Sequence, residues 1–251
     1  MSTNDLKNMA QAGATKVEVL EKYPVKYFFQ AIMAGMFITC GVVFSNVAAA
    51  LFQGSLAGMK IISGITFPIG ILLIFFIGGE LFTGNVLVES IGVYNKKVKI
   101  KQALMVLLIS YIGNAVGSFI FSLIYIYGGA SKAVLTEYLD QVYMSKIDMP
   151  GIELFLRAVL CNFMVCLAIA LNFKLKSETA KVLMSFLTIG MFVVVGFEHC
   201  IANQGLFVIY YILVDAPIGL MLRSMVIVTL GNIVGGGLLL GLPLHIMSVE
   251  K

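Results

Sequence analysis

The stretch GFEHCIAN (residues 196–203) sets Glu198 and His199 side by side, directly after the apolar run MFVVV. Ionisable groups at membrane depth are paired or functional. A carboxylate there either braces polar backbone groups freed at an irregularity or relays a proton. An imidazole titrates near neutrality and can switch charge. Cys200 follows at once and raises a cysteine–histidine nucleophile. Neighbouring helical residues point about 100° apart, however, and the sequence offers no third group to orient the pair.

A second stretch, GGELFTGN (78–85), matches the first. Gly78, Glu80 and Asn85 each stand 118 residues before Gly196, Glu198 and Asn203. The two glutamates read as one structural job done twice, accepting hydrogen bonds from backbone groups at a helix break, with a proton relay as the alternative. Asn85 and Asn203 read as caps for half-helix ends. His199 departs from the match because its counterpart is Leu81, so the shared scaffold needs no imidazole and a functional role is preferred. Thr83 offers a hydroxyl that either faces the same centre or caps its own backbone.

The same spacing lays YIGNAVG (111–117) over TLGNIVG (229–235). Asn114 and Asn232 read as groups that hydrogen-bond between helices, and the flanking glycines permit close approach. FFQAIMAG (28–35) and FLRAVLCN (155–162) give a weaker match, 127 residues apart. A tandem duplication of three spans follows, and an odd number of crossings inverts the second copy. Interrupted helices at matching places of inverted repeats are a transporter and channel architecture. Broken backbone is tolerated only inside protein or along a polar cavity, and half-helix N-termini aimed at the break favour an anion there.

The elements that must position these residues are apolar. Of the 251 residues 60% are hydrophobic and 12% charged, with mean hydropathy +0.99. That is more than one soluble core can hide, and several stretches approach the ~20 residues that cross a bilayer. The reading is an all-α integral membrane protein of six transmembrane helices in two inverted three-helix repeats, with spans 2 and 5 broken. The spans are expected near 27–52, 61–94, 103–127, 152–173, 181–214 and 218–242. The organisation is an N-terminal segment (1–26), a first repeat (27–127), a loop (128–151), a second repeat (152–242) and a tail (243–251).

Of the 17 Lys and Arg residues, all but Lys60, Lys132, Lys146, Arg157 and Arg223 fall on the N-terminal side of the bilayer. The positive-inside rule then makes both termini cytoplasmic. The polar N-terminal segment carries no signal-peptide pattern, and Leu6, Met9, Ala10, Val17 and Leu20 mark one face of a short interfacial helix. Cys40, Cys161, Cys166 and Cys200 sit in apolar spans and read as small buried hydrophobes. No metal, cofactor or nucleic acid is expected, and Lys146 by itself reads as a solvated loop charge.

LFTGN (81–85), YIGNAVG, CNFMVCLA (161–168), GFEHCIAN and GNIVGGGLL (231–239) together resemble the formate/nitrite transporter family across the whole membrane region. The resemblance implies a homopentamer of aquaporin-like protomers in the plasma (cell inner) membrane, each with its own pore for small monovalent anions and their conjugate acids. It places the family's central histidine on His199, its threonine on Thr83, its pore asparagine on Asn162 and its outer lysine on Lys146. It places apolar constrictions on Phe67, Ile71, Leu81, Phe82, Val165 and Phe192. Cys200 after the histidine and Gln204 after Asn203 resemble the hydrosulfide branch, with formate or nitrite as alternatives, and either a channel or a proton-coupled carrier fits. An aquaporin-type water pore would need Asn-Pro-Ala at both breaks, and a quinone-linked membrane enzyme would need paired histidines. The chain has neither, so no enzymatic activity is expected.

Overall fold

A computed structural model describes residues 1–248 and is helical almost throughout. Helix α1 (Thr3–Lys22) precedes α2 (Pro24–Ala50), α3 (Leu56–Thr66), α4 (Ile69–Ile77), α5 (Phe82–Tyr94) and α6 (Ile100–Gly128). Helix α7 (Lys132–Ile147) then leads into α8 (Gly151–Lys174), α9 (Glu178–Val195), α10 (Cys200–Val214) and α11 (Ile218–Ile233). A π-helical stretch (Val234–Gly241) joins α11 to α12 (Leu242–Ser248). Six helical stretches are long and apolar enough to cross a bilayer: α2, α3–α4, α6, α8, α9 and the run from α11 to α12. Helices α5 and α10 complete the broken spans, and the two halves form inverted three-span repeats.

Helices are what an apolar chain in lipid can form, because each satisfies its own backbone groups. Pro24 opens α2, where its missing N–H removes nothing. Pro68 parts α3 from α4, so the second span begins at Leu56 and carries a step as well as a break. The paired Asn motifs sit where helices nearly touch. A Cβ on Gly117 would lie 1.9 Å from the Ile32 carbonyl oxygen, and one on Gly235 would lie 2.1 Å from that of Val159. Only glycine fits at either place.

Three features differ from the sequence reading. The connecting loop 128–151 is mostly helix, since α7 fills most of it and buries Leu135, Leu139 and Ile147 against the core. The last span does not end at residue 242. Its glycine run winds as a π-helix and continues into α12, and the expected tail residues 249–251, Lys251 among them, lie outside the described residues. Finally, α1 does not rest on lipid by its apolar face. Leu6, Met9 and Ala10 pack with Leu87, Val88 and Ile91 of α5 and Cys166 and Ile169 of α8, while Val17 packs with Tyr27 and Val106.

Candidate functional site

Each break is opened by a glycine that L side chains would strain. Gly78 takes φ +102° after α4 and Gly196 takes φ +88° after α9. The chain then runs extended for a few residues before α5 begins at Phe82 and α10 at Cys200. Two asparagines hold these segments. Asn114 Oδ1 accepts the Phe82 N–H at 2.9 Å, and its Nδ2 donates to the carbonyls of Ala31 and Glu80 at 2.8 and 2.9 Å. Asn232 repeats the clasp, accepting the Cys200 N–H at 2.9 Å and donating to Ala158 and Glu198 carbonyls at 2.7 and 2.9 Å. Capping therefore falls to Asn114 and Asn232, on neighbouring helices, and not to Asn85 and Asn203.

Asn85 and Asn203 instead serve the glutamates. Asn85 Nδ2 donates to Glu80 Oε2 (3.1 Å) and to the Tyr27 hydroxyl (3.0 Å), and Asn203 Nδ2 donates to Glu198 Oε2 (3.0 Å). Among the described residues neither carboxylate side chain receives a backbone N–H, and the asparagine clasp takes the first one of each half-helix. Each is met by a lysine. Lys16 of α1 bonds Glu80 Oε2 at 2.5 Å, where the Tyr27 hydroxyl also donates. Lys146, in the last turn of α7, bonds both Glu198 oxygens at 2.9 Å. Lys146 is thus no solvated loop charge. Lys16 and Tyr27 escaped the sequence reading because they lie outside the matched motifs. A lysine ahead of the first span of each copy is the signal that would have found the pairing.

The two breaks meet at His199 and Thr83. His199 caps α10, its Nδ1 accepting the Ala202 N–H at 3.1 Å. An accepting Nδ1 places the proton of a neutral ring on Nε2, and Nε2 lies 2.9 Å from Thr83 Oγ1 in the first turn of α5. Thr83 then accepts, which leaves its own hydroxyl hydrogen unassigned. Both side chains are buried. Asn162 is buried beside them, donating to the carbonyls of Asn232 (2.7 Å) and Thr83 (3.3 Å) and accepting a weak bond from the Cys166 thiol. Among the described residues its Oδ1 has no stronger donor.

A cavity of about 350 Å³ opens on the α7 face and reaches His199. Phe67 and Phe192 line it, their rings edge to face at 5.6 Å, and Phe192 stacks on the His199 ring at 6.1 Å. Ile71, Leu81, Phe82 and Val165 belong to the same buried apolar cluster but not to the cavity wall. Cys200 is free and buried, with its N–H held by Asn232. Among the described residues, no three His, Cys, Asp or Glu side chains come together as a metal site would require.

An apolar bundle of inverted repeats, with two broken helices meeting at one polar pair beneath a cavity, defines a membrane transport protein. The chain matches the Formate/nitrite transporter family profile over residues 3–246. It is 32% identical over 257 residues to an uncharacterised transporter, YwcJ, of Bacillus subtilis (strain 168), covering 100% of each chain. Among solved structures it superimposes on an FNT family ion channel with TM-score 0.92 at 28% identity, covering 98% of this chain and 100% of that one. A pentameric formate channel with formate bound gives TM-score 0.76 at 28% identity, over 90% and 98% of the two chains. This protein belongs to the formate/nitrite transporter family.

Proposed function

We propose that the protein is a homopentameric plasma-membrane channel for small monovalent weak-acid anions, with hydrosulfide its principal substrate and formate or nitrite the alternative. Each protomer carries its own pore, and both termini face the cytoplasm, a reading supported by the bias in the lysine distribution. The α7-side cavity is then the outer vestibule. The observation that carries the reading is the 2.9 Å contact between His199 Nε2 and Thr83 Oγ1, which joins the N-terminal ends of two half-helices beneath an aromatic constriction. The pentamer draws on the pentameric formate channel that the chain resembles. The preference for hydrosulfide draws on Cys200 and Gln204.

An ionised anion entering between Phe67 and Phe192 loses its water, which is costly in an apolar surround. The free donor that meets it is the Thr83 hydroxyl hydrogen, polarised by the His199 Nε2–H that Thr83 Oγ1 accepts and backed by the positive ends of α5 and α10. Protonation lets the substrate pass the second constriction, formed by Leu81, Phe82 and Val165, as a neutral acid. With Nδ1 engaged by Ala202, giving up the Nε2 proton would leave an imidazolate. The geometry therefore favours a proton drawn from vestibule water, which leaves hydroxide on the entry side, with His199 and Thr83 holding the anion while it arrives. Hydrosulfide, formate and nitrite can all gain a proton this way. Chloride cannot usefully do so.

The test is flux into proteoliposomes at matched weak-acid gradients, counted against empty liposomes. Hydrosulfide ahead of formate and nitrite is the expected result. Formate or nitrite ahead would overturn the substrate and keep the pore, and no protein-dependent flux would overturn the channel. His199→Leu should alter pH dependence and selectivity in an intact pentamer, so an unaltered pH response would remove His199 from the proton step.

A further inference from the structure

Three cations line the vestibule, Lys60, Lys146 and Arg157. Two are already matched. Lys146 is bonded to both oxygens of Glu198. Arg157 pairs with Glu153 and donates to the Gly196 carbonyl. From a few ångströms away each pair is a dipole, whose field falls off faster than that of a single charge. Lys60 is exposed on α3, and among the described residues no carboxylate pairs with it.

The placement of Lys60 is as telling as its charge. Leu56, Met59, Lys60, Ser63 and Phe67 all line the cavity. These positions follow helical spacing, so they form one stripe of α3 running from the rim to the constriction. Below Lys60 the stripe offers the Ser63 hydroxyl and then the Phe67 ring, which meets Phe192. A charge at the rim of a low-dielectric cleft concentrates counter-ions within it.

We infer that Lys60 is the anion-recruiting residue of the vestibule, the first electrostatic contact of the permeant ion and the source of preference for anions over neutral solutes at the mouth. Lys146, on which the family resemblance places the outer lysine, instead locks Glu198 and the second break. The inference rests on the anion-channel reading above.

The experiment measures initial flux in proteoliposomes with whichever of hydrosulfide, formate or nitrite the wild type carries fastest. Lys60→Gln, Lys60→Arg and Lys60→Glu are compared at low and high ionic strength. At subsaturating anion and low salt, Lys60→Gln should conduct about fivefold more slowly, the worth of one unit charge about 4 Å away in water. The gap should close at ~1 M salt, where the Debye length is ~3 Å. Half-saturation should rise while the saturated rate holds, because recruitment precedes the constriction. Lys60→Arg should behave as wild type and Lys60→Glu should fall below Lys60→Gln. A Lys60→Gln channel with wild-type half-saturation and salt dependence would overturn the inference alone, and so would one whose saturated rate falls at unchanged half-saturation. Absence of wild-type anion flux would overturn it together with the channel reading.

Discussion

The two halves of the molecule are alike where they hold themselves together and unlike where they meet. Asn114 and Asn232 make the same three bonds to the same relative partners. Glu80 and Glu198 each take an asparagine five residues on and a lysine from the helix that precedes the repeat. Tyr111 and Thr229, equivalent by the repeat, touch each other at 3.1 Å, as residues on either side of an approximate two-fold axis must. The duplicated unit therefore includes α1 and α7, not only the three spans. Against that frame His199 faces Leu81 in the alignment, Thr83 faces Ile201 and Glu89 faces Phe207. The shared residues keep each break open, and the unshared ones make its chemistry one-sided.

The comparison breaks most severely at the asparagines. Asn232→Leu would strand one buried N–H and two buried carbonyls at about 1–3 kcal/mol each, and Asn114→Leu should do the same in the first half. Both variants should lose folded protein to a similar degree in thermal unfolding followed by size-exclusion chromatography, while His199→Leu should unfold near the wild-type temperature. Tolerance of one asparagine variant and collapse of the other would show that the halves are held unequally.

That equivalence was visible in the sequence, and its chemistry only partly so. Hydropathy gave six spans, and motif spacing gave two breaks in inverted copies, because both signals are local and periodic. The roles inside the motifs were exchanged. A short asparagine near a half-helix start suggests a cap, yet Asn85 lies within α5 and turns towards Glu80, while Asn114 reaches Phe82 from another helix. Such a bond depends on how α6 packs against the start of α5, which no spacing reveals. Helix α7 was missed because a mixed polar and apolar run of 16 residues has no strong membrane signal. The resemblance to the family singled out Thr83 and Asn162 beside His199 and Lys146 as an outer lysine. In the structure Lys146 lines the same cavity as His199 and bonds Glu198.

A smaller difference separates two carboxylates on the first half-span. Glu80 is bonded by Lys16, Tyr27 and Asn85, whereas Glu89, buried on α5, has no hydrogen-bond partner for either oxygen among the described residues. It lies beneath α1, where a Cβ on Gly13 would come within 3.6 Å of its Oε1. An ionised carboxylate buried without a partner is costly, so Glu89 is expected to be the neutral acid, and Glu89→Gln exchanges it for a neutral amide of equal volume. It should leave thermal stability unchanged or raise it. Glu80→Gln, which strands Lys16 in a partly buried pair, should cost more than an exposed pair is worth (about 1 kcal/mol) and less than breaking a fully buried one (about 3–5 kcal/mol), and Glu198→Gln should cost about the same. A Glu89→Gln protein as unstable as Glu80→Gln would mean that Glu89 is paired and ionised in the folded state.

The smallest effect distinguishes the helices that lead each half. Helix α1 starts with a complete capping box, Ser2 Oγ accepting the Asp5 N–H and Asp5 Oδ2 accepting the Ser2 N–H. Helix α7 starts from Ser131 in a left-handed conformation, with no side-chain cap and no acid in its first turn. The Ser2 N–H, then the Ser2 hydroxyl, hold the Asp5 carboxyl below its ordinary value. A depressed carboxylate stabilises the fold above its unfolded pKa of about 3.9 and loses that contribution as pH falls through the lower folded value. Below pH of about 4 the first turn of α1 should fray, and Asp5→Ala should fray it already at neutral pH. Amide hydrogen exchange, expressed as protection factors, would show the loss in residues 5–8 while the first turn of α7 stays flat across the same range. Equal loss at both helices would trace the acid response to general unfolding, and no loss at α1 would mean that its packing against α5, and not its cap, holds that turn.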